Sequence, residues 1–198
     1  MEERDPPTLS PFPAESTIKH MGTDPFKTEQ SPWIIRFASL VPSSGTVLDV
    51  ACGGGRHSRL FLDRGHAVTA LDRDIAQARL AEGAERIEAD LENGSPWPLA
   101  GRRFAAVVVT NYLWRPLFPH LLDSLDEGGV LLYETFAQGN EAFGRPRNPD
   151  HLLERGELLR LARGLTVVAF EDGIEHGRKV VQRLAALKGP GPAILPGA

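Results

Sequence analysis

The sequence predicts an α/β fold, a doubly wound and mostly parallel seven-stranded sheet that ends in an antiparallel hairpin. Three observations predict it. Strand-like apolar runs alternate with helix-like segments from residue 46 onward, the pattern of a parallel sheet with helices on both faces. The runs Ala106-Val107-Val108-Val109 and Val130-Leu131-Leu132-Tyr133 are apolar at consecutive positions, as strands buried on both faces require. Finally, Val47-Leu48-Asp49-Val50-Ala51-Cys52-Gly53-Gly54-Gly55 reads as a buried strand that turns into a helix through three glycines.

The elements follow in order. Residues 1–30 are rich in proline and charge and are expected to lie outside the core, as is a loose tail over 188–198. A helix is predicted over 31–41: Ser31 can cap it, Pro32 suits its first turn, and Trp33, Phe37 and Leu40 or Val41 share one face. That helix is a candidate lid, with Trp33 and Arg36 as the residues that would close over a ligand. Simple packing on the sheet is the equal alternative. The domain proper is expected to span 31–187. Its first strand covers 46–51 and its next helix 55–64. A second strand at 67–72 leads to a short helix through residue 80 that Asp74 can cap, then to a third strand at 85–89. Strand four is predicted at 104–110, a helix near 117–124, strand five at 129–135 and a helix near 156–162. Strands at 166–171 and 179–187 close the sheet, joined by the turn-forming residues 172–177.

Composition narrows the function. At 198 residues the chain suits a single domain with a sizeable core. A net charge of −4 argues against a nucleic-acid partner. The apolar runs are strand-sized, so no membrane span is expected, and the acidic start of the chain has no secretory signal. One cysteine excludes an intrachain disulfide framework, which fits a cytoplasmic protein. No two of His20, His57, His66, His120, His151 and His176 stand at a convincing metal-ligand spacing, so no metal is expected.

Two acids mark a ligand site. Glycines at a strand-to-helix turn let the backbone approach a ligand closely. Asp49, just before that turn, argues against a pyrophosphate and for a ligand carrying a cationic amine. This favours S-adenosylmethionine over NAD. Asp72 lies nineteen positions past Gly53 at the end of the second strand, where an acid can accept both hydroxyls of a ribose. Asp74 has the plainer role of a cap.

The glycine loop, the two following acids and the alternation of elements together resemble the class I S-adenosylmethionine-dependent methyltransferases, over nearly all of 31–187. The resemblance implies a Rossmann-like fold and S-adenosylmethionine as methyl donor, with S-adenosylhomocysteine as product. Against the family pattern D-x-G-x-G-x-G, this chain has Ala51 in place of the first glycine, a change that matters little if Ala51 takes ordinary strand angles. By the same resemblance Asp49 helps hold the methionine ammonium, directly or through water. The backbone of Ala51, Cys52, Gly53, Gly54 and Gly55 packs against the methionine and ribose, and Arg73 follows the ribose acid. Asp90 accepts the adenine amino group while the N–H of Leu91 reaches a ring nitrogen. Asn111 then faces donor and acceptor, with Tyr112 and Trp114 beside the acceptor. Neither proline of an Asn-Pro-Pro-Tyr motif follows Asn111, which argues against a DNA or glutamine N-methyltransferase.

The loop 134–150 exceeds the length of an ordinary connection. In it Arg145 and Arg147 are candidates for an anion clamp, with two solvated arginines as the equal alternative. The stretch Gly144-Arg145-Pro146-Arg147-Asn148-Pro149 and the loop Gly53-Gly54-Gly55-Arg56-His57-Ser58 are similar to small bacterial methyltransferases of the tellurite-resistance group. Methyl transfer from a sulfonium needs alignment and water exclusion more than a strong base. No catalytic residue is therefore readable. The leading expectation is a small-molecule methyltransferase, monomeric or homodimeric, acting on a thiol, chalcogen oxyanion, amine or hydroxyl. The alternatives are an NAD-dependent oxidoreductase, an RNA methyltransferase and a non-catalytic donor-binding module.

Overall fold

The computed structural model describes residues 29–196. Its sheet has seven strands: β1 (Val47–Val50), β2 (Val68–Asp72), β3 (Glu85–Glu88), β4 (Phe104–Thr110), β5 (Leu125–Phe136), β6 (Thr166–Glu175) and β7 (Lys179–Leu187). They lie in the order β3-β2-β1-β4-β5-β7-β6. Strands β1 to β5 are parallel, and β7 runs antiparallel to both of its neighbours. The helices are α1 (Pro32–Phe37), α2 (Arg56–Asp63), α3 (Phe118–Asp123) and α4 (Glu157–Leu161). The order reverses between β1 and β4, which is where a doubly wound sheet opens a crevice beyond its carboxyl ends.

Two hydrophobic layers sandwich the sheet, sorted by the period-two alternation of strand side chains. Leu48, Val50, Val107, Val109, Leu131 and Tyr133 pack with Phe118 and Leu121 of α3 and Leu158 of α4. Val47, Ala106, Val108, Val130 and Leu132 pack on the other face with Trp33, Ile34 and Phe37 of α1 and Phe61 of α2. The strands read as apolar on consecutive positions because both faces are covered.

Several predicted elements shift. Strand β5 starts four residues early, at Leu125, through the polar Asp126 and Glu127, with a register shift opposite Phe104/Ala106. The hairpin is longer than expected: β6 continues to Glu175, so residues 172–175 are strand and the turn shortens to 176–178. The short helix expected through residue 80 is two 3-10 turns, Ile75–Gln77 and Arg79–Ala81. Asp74 caps neither by its side chain; its N–H donates to Asp72 Oδ1 at 2.9 Å. The chain is drawn instead toward the glycine loop, where the N–H of Leu80 donates to the carbonyl of Gly54 at 3.0 Å.

Of the two expectations for α1, its buried face follows the packing one. Helix α1 is capped by Ser31, whose Oγ accepts from the N–H of Ile34, and it buries Trp33, Ile34 and Phe37. Trp33 is 4% exposed and donates from its indole N–H to the carbonyl of Leu184 at 3.4 Å. It is a core residue of the sheet, held there by burial of its ring. Arg36 is exposed and lies over the ring of Phe37 at 5.0 Å. The expectation for residues 1–28 and 197–198 lies outside the described residues. Residues 189–196 carry no helix or strand, and Ile194 and Leu195 are exposed.

Candidate active site

The crevice is built outward from β1. Its four residues are all buried, and the chain then leaves the sheet through Ala51 at φ +52° and Gly53 at φ +53°. Ala51 therefore does not take ordinary strand angles. It pays for a left-handed conformation that costs an L-residue about 1–2 kcal/mol. Gly55 has φ +81°, and a Cβ there would stand 2.7 Å from the backbone nitrogen of Ala81. A side chain on Gly54 would meet nothing within 4 Å, so the loop leaves open space on its outer side.

Asp49 is 1% exposed and turned toward α2, where it accepts from the hydroxyl of Ser58 at 2.6 Å. Burial raises its carboxyl to about 6, against the opposing pull of the Ser58 hydrogen bonds and of Arg56. Cys52 is also buried, among Ala70, Ala78 and Ala81, and burial raises its thiol well above the ordinary value. It fills space and is no nucleophile.

Asp72 stands at the open end of β2. Its Oδ2 accepts from the N–H of Gly53 at 2.8 Å and its Oδ1 from the N–H of Asp74, so the carboxylate is fixed in orientation and ties the glycine loop to the second strand. Asp90, past the end of β3, is similarly fixed by the N–H of Glu92 at 2.9 Å. Asn111 ends β4 at φ +56°, with its N–H donating to the carbonyl of Glu134 at 2.8 Å. Two non-glycine residues in the left-handed region thus flank one cavity, where local strain often accompanies ligand sites.

That cavity, about 400 Å³, is lined by Ala51, Asp72, Arg73, Asp90, Leu91 and Asn111, all singled out from sequence, and by Tyr112. Burial raises the Tyr112 hydroxyl, with the acids Glu92 and Asp90 adding to the effect, so it stays protonated and acts as a donor rather than a base. The sequence reading did not single out Thr135, Phe136, Pro146 and His151, which line the cavity as well, together with Ala89, Glu92 and Leu113. The first two sit at the carboxyl end of β5, a location that the crevice rule alone would have flagged. The remaining candidates lie elsewhere. Asp49 and Cys52 are beneath the loop. Trp114 faces an adjoining groove with Trp97 and His120. Arg145 lines a separate cavity of about 780 Å³, which shares Asn111 and Phe136 with the first. Arg147 is exposed and lines none of the described cavities, so the expected clamp of two arginines is not formed by that pair.

A buried polar network supports the wall between the two cavities. Glu134, 3% exposed, accepts from Ser31 Oγ and from Arg183 Nε, each at 2.8 Å. His57 is 2% exposed, and its Nε2 accepts from the N–H of Ser31 at 3.0 Å. A backbone N–H can only donate, so Nε2 carries no proton and Nδ1 is the protonated nitrogen facing Thr110 Oγ1 at 3.2 Å.

The donor set fits S-adenosylmethionine. Asp72 offers a fixed carboxylate for a diol, Asp90 with Leu91 offers an acceptor and a backbone N–H among apolar walls, and Gly53 and Gly54 leave room that a Cβ would fill. Among the described residues no cluster suits a metal ion, and no helix is long and apolar enough to cross a membrane.

The sheet order, with acids at the ends of β2 and β3, is similar to that of the class I S-adenosylmethionine-dependent methyltransferases. Residues 47–129 match the family described as a methyltransferase domain. The fold is shared with solved TehB-like methyltransferase structures. A TehB-like methyltransferase from Corynebacterium glutamicum superposes with a TM-score of 0.59 at 18% identity, over 79% of this chain and 86% of that one. The glycopeptide N-methyltransferase MtfA, solved with S-adenosylhomocysteine, gives 0.52 at 24% identity over 77% and 86%. A malonyl-[acyl-carrier protein] O-methyltransferase of Enterobacter lignolyticus is 36% identical over 46% of this chain and 39% of its own length. The chain thus spans about two fifths of that curated relative.

Proposed function

We propose that this chain transfers a methyl group from S-adenosylmethionine to a small-molecule acceptor. One observation carries the reading: the ends of β1, β2, β3 and β4 bring Ala51, Asp72, Asp90, Leu91 and Asn111 around a single cavity of about 400 Å³. When bound, the donor supplies an electrophilic methyl on a sulfonium. The chain's own residues do the rest. Asp72 accepts the ribose hydroxyls, and its bonds to Gly53 and Asp74 hold it ready for them. Asp90 and the N–H of Leu91 take the adenine edge. Asp49 lies one layer down and acts on the ammonium from behind the loop, through its field and through the loop it anchors by Ser58. Asn111 and Phe136 form the common wall at which acceptor and methyl would meet, and Tyr112 keeps its proton there.

A small acceptor suits the net charge of −4 and the modest volumes of the two cavities. The acceptors considered are a thiol, a chalcogen oxyanion, an amine or a hydroxyl; the curated relative's name adds O-methylation of a malonyl group.

Calorimetric titration with S-adenosylhomocysteine and NAD tests the donor site. S-adenosylhomocysteine should bind and NAD should not. Asp72→Ala should weaken binding about ten- to a hundredfold, the worth of hydrogen bonds to a charged group. Gly54→Ala should weaken it too while leaving the unfolding midpoint nearly unchanged, since its Cβ meets only open space. Binding of NAD alone would overturn the proposal.

A further inference from the structure

The 780 Å³ cavity has a charge arrangement that the donor site does not use. Two of its three carboxylates are already committed. Glu134 bonds Ser31 and Arg183 and lies 3.6 Å from Lys179, while Glu175 pairs with Lys179 at 2.7 Å and with Arg183. Glu29 stands at the lip. Three cations that line the cavity have no such bond among the described residues. Arg56 is 8% exposed, and among the described residues its side chain bonds the backbone carbonyl of Glu29, from Nη1 at 3.1 Å. Among the described residues Arg145 and Arg178 have no side-chain hydrogen-bond or ion-pair partner. Burial lowers the basicity of Arg56, and the nearby charges of Glu134 and Asp49 oppose that lowering. An arginine with this little of its surface exposed beside a cavity, and without a bonded carboxylate, is an unusual arrangement in a stable protein.

We propose that this cavity takes an acceptor through a carboxylate group, with Arg56 meeting the anion from the buried wall and Arg145 and Arg178 from the rim. The planar fork of arginine matches a carboxylate in two parallel bonds, which fixes orientation as well as position. The shared wall of Asn111 and Phe136 then sets the distance from that anion to the donor cavity. The inference rests on the methyltransferase reading for the meaning of the cavity, and its binding chemistry can be tested without turnover.

The probes are benzoate, its neutral counterpart benzamide, and inorganic phosphate, titrated into the full chain with S-adenosylhomocysteine present and followed by protein NMR. Benzoate should bind about tenfold more tightly than benzamide and shift resonances of Asn111, Phe136 and Phe143. The Arg145→Ala, Arg178→Ala double variant should weaken benzoate about tenfold and leave benzamide and S-adenosylhomocysteine unchanged. Both arginines are at the surface, so this variant keeps the fold even if Arg56→Gln does not. Equal binding of benzoate and benzamide, phosphate as tight as benzoate, or an unchanged double variant would each overturn the proposal. Benzoate binding without S-adenosylhomocysteine binding would overturn the donor reading and leave this one standing.

Discussion

Asp49 carries its charge where the fold offers little water. Its folded carboxyl, raised by burial to about 6 from 3.8, binds a proton more readily than in the unfolded chain. Stability therefore falls as pH rises between those two values and levels off above the folded one. The sign is opposite to that of a salt-bridged acid. Urea unfolding of the native chain and of Asp49→Asn at about pH 4.5 and 7.5 should show the variant gaining about 2 kcal/mol on the native chain across that range. An unchanging gap would mean that Asp49 is not desolvated. The charge is retained at a cost, which is consistent with a role toward a cationic ligand. The placement of Asp72 and Asp90 beside one cavity was legible because each stands at or just past the carboxyl end of its strand. The direction of Asp49's side chain was not, since it depends on Ser58 in the next helix. Nor was the left-handed backbone at Ala51, because only the closed loop forces alanine into an angle that glycine takes freely.

At the scale of elements, α1 is joined to the site by one residue. Ser31 caps the helix, donates its hydroxyl to buried Glu134 and gives its N–H to His57, so it links α1, α2 and β5. Ser31→Ala should cost about 2 kcal/mol by chemical denaturation, from the lost cap and from an unmade bond to a buried carboxylate. Ser31→Thr, which keeps the hydroxyl, should recover most of it. The cap and the apolar face of α1 were readable from Ser31, Pro32, Trp33 and Phe37. The partner of that face was not, because the polar network and the core lie side by side and Trp33 suits either. The early start of β5 was hidden for a related reason. Asp126, Glu127 and Gly128 read as a turn, yet the strand admits them where its start is open to solvent and only later becomes enclosed. The helix expected through residue 80 failed because hydrogen bonding to the glycine loop outcompeted a regular helical ladder.

For the whole molecule, the alternation of elements was legible because a parallel sheet demands it, and the crevice followed from where the strand order turns back. The cavities themselves were not legible. Pro146 and His151 reach the donor wall only through the folding-back of loop 137–153, which is pinned by Asn140 and by Arg115, whose guanidinium donates to the carbonyls of Asp150 and Leu152. A ligand bridging the ends of four strands stabilises the folded chain alone, and so should raise the melting temperature by linkage. At one hundred times its dissociation constant S-adenosylhomocysteine contributes about 2.7 kcal/mol. For a chain of this size that corresponds to a rise of roughly 5–10 °C. Asp72→Ala, melted at the same ligand concentration, should lose most of the rise because its affinity is lower. A full shift in that variant would show that the ligand sits away from β2. The absence of any shift in the native chain would mean that these strand ends do not bind the donor together.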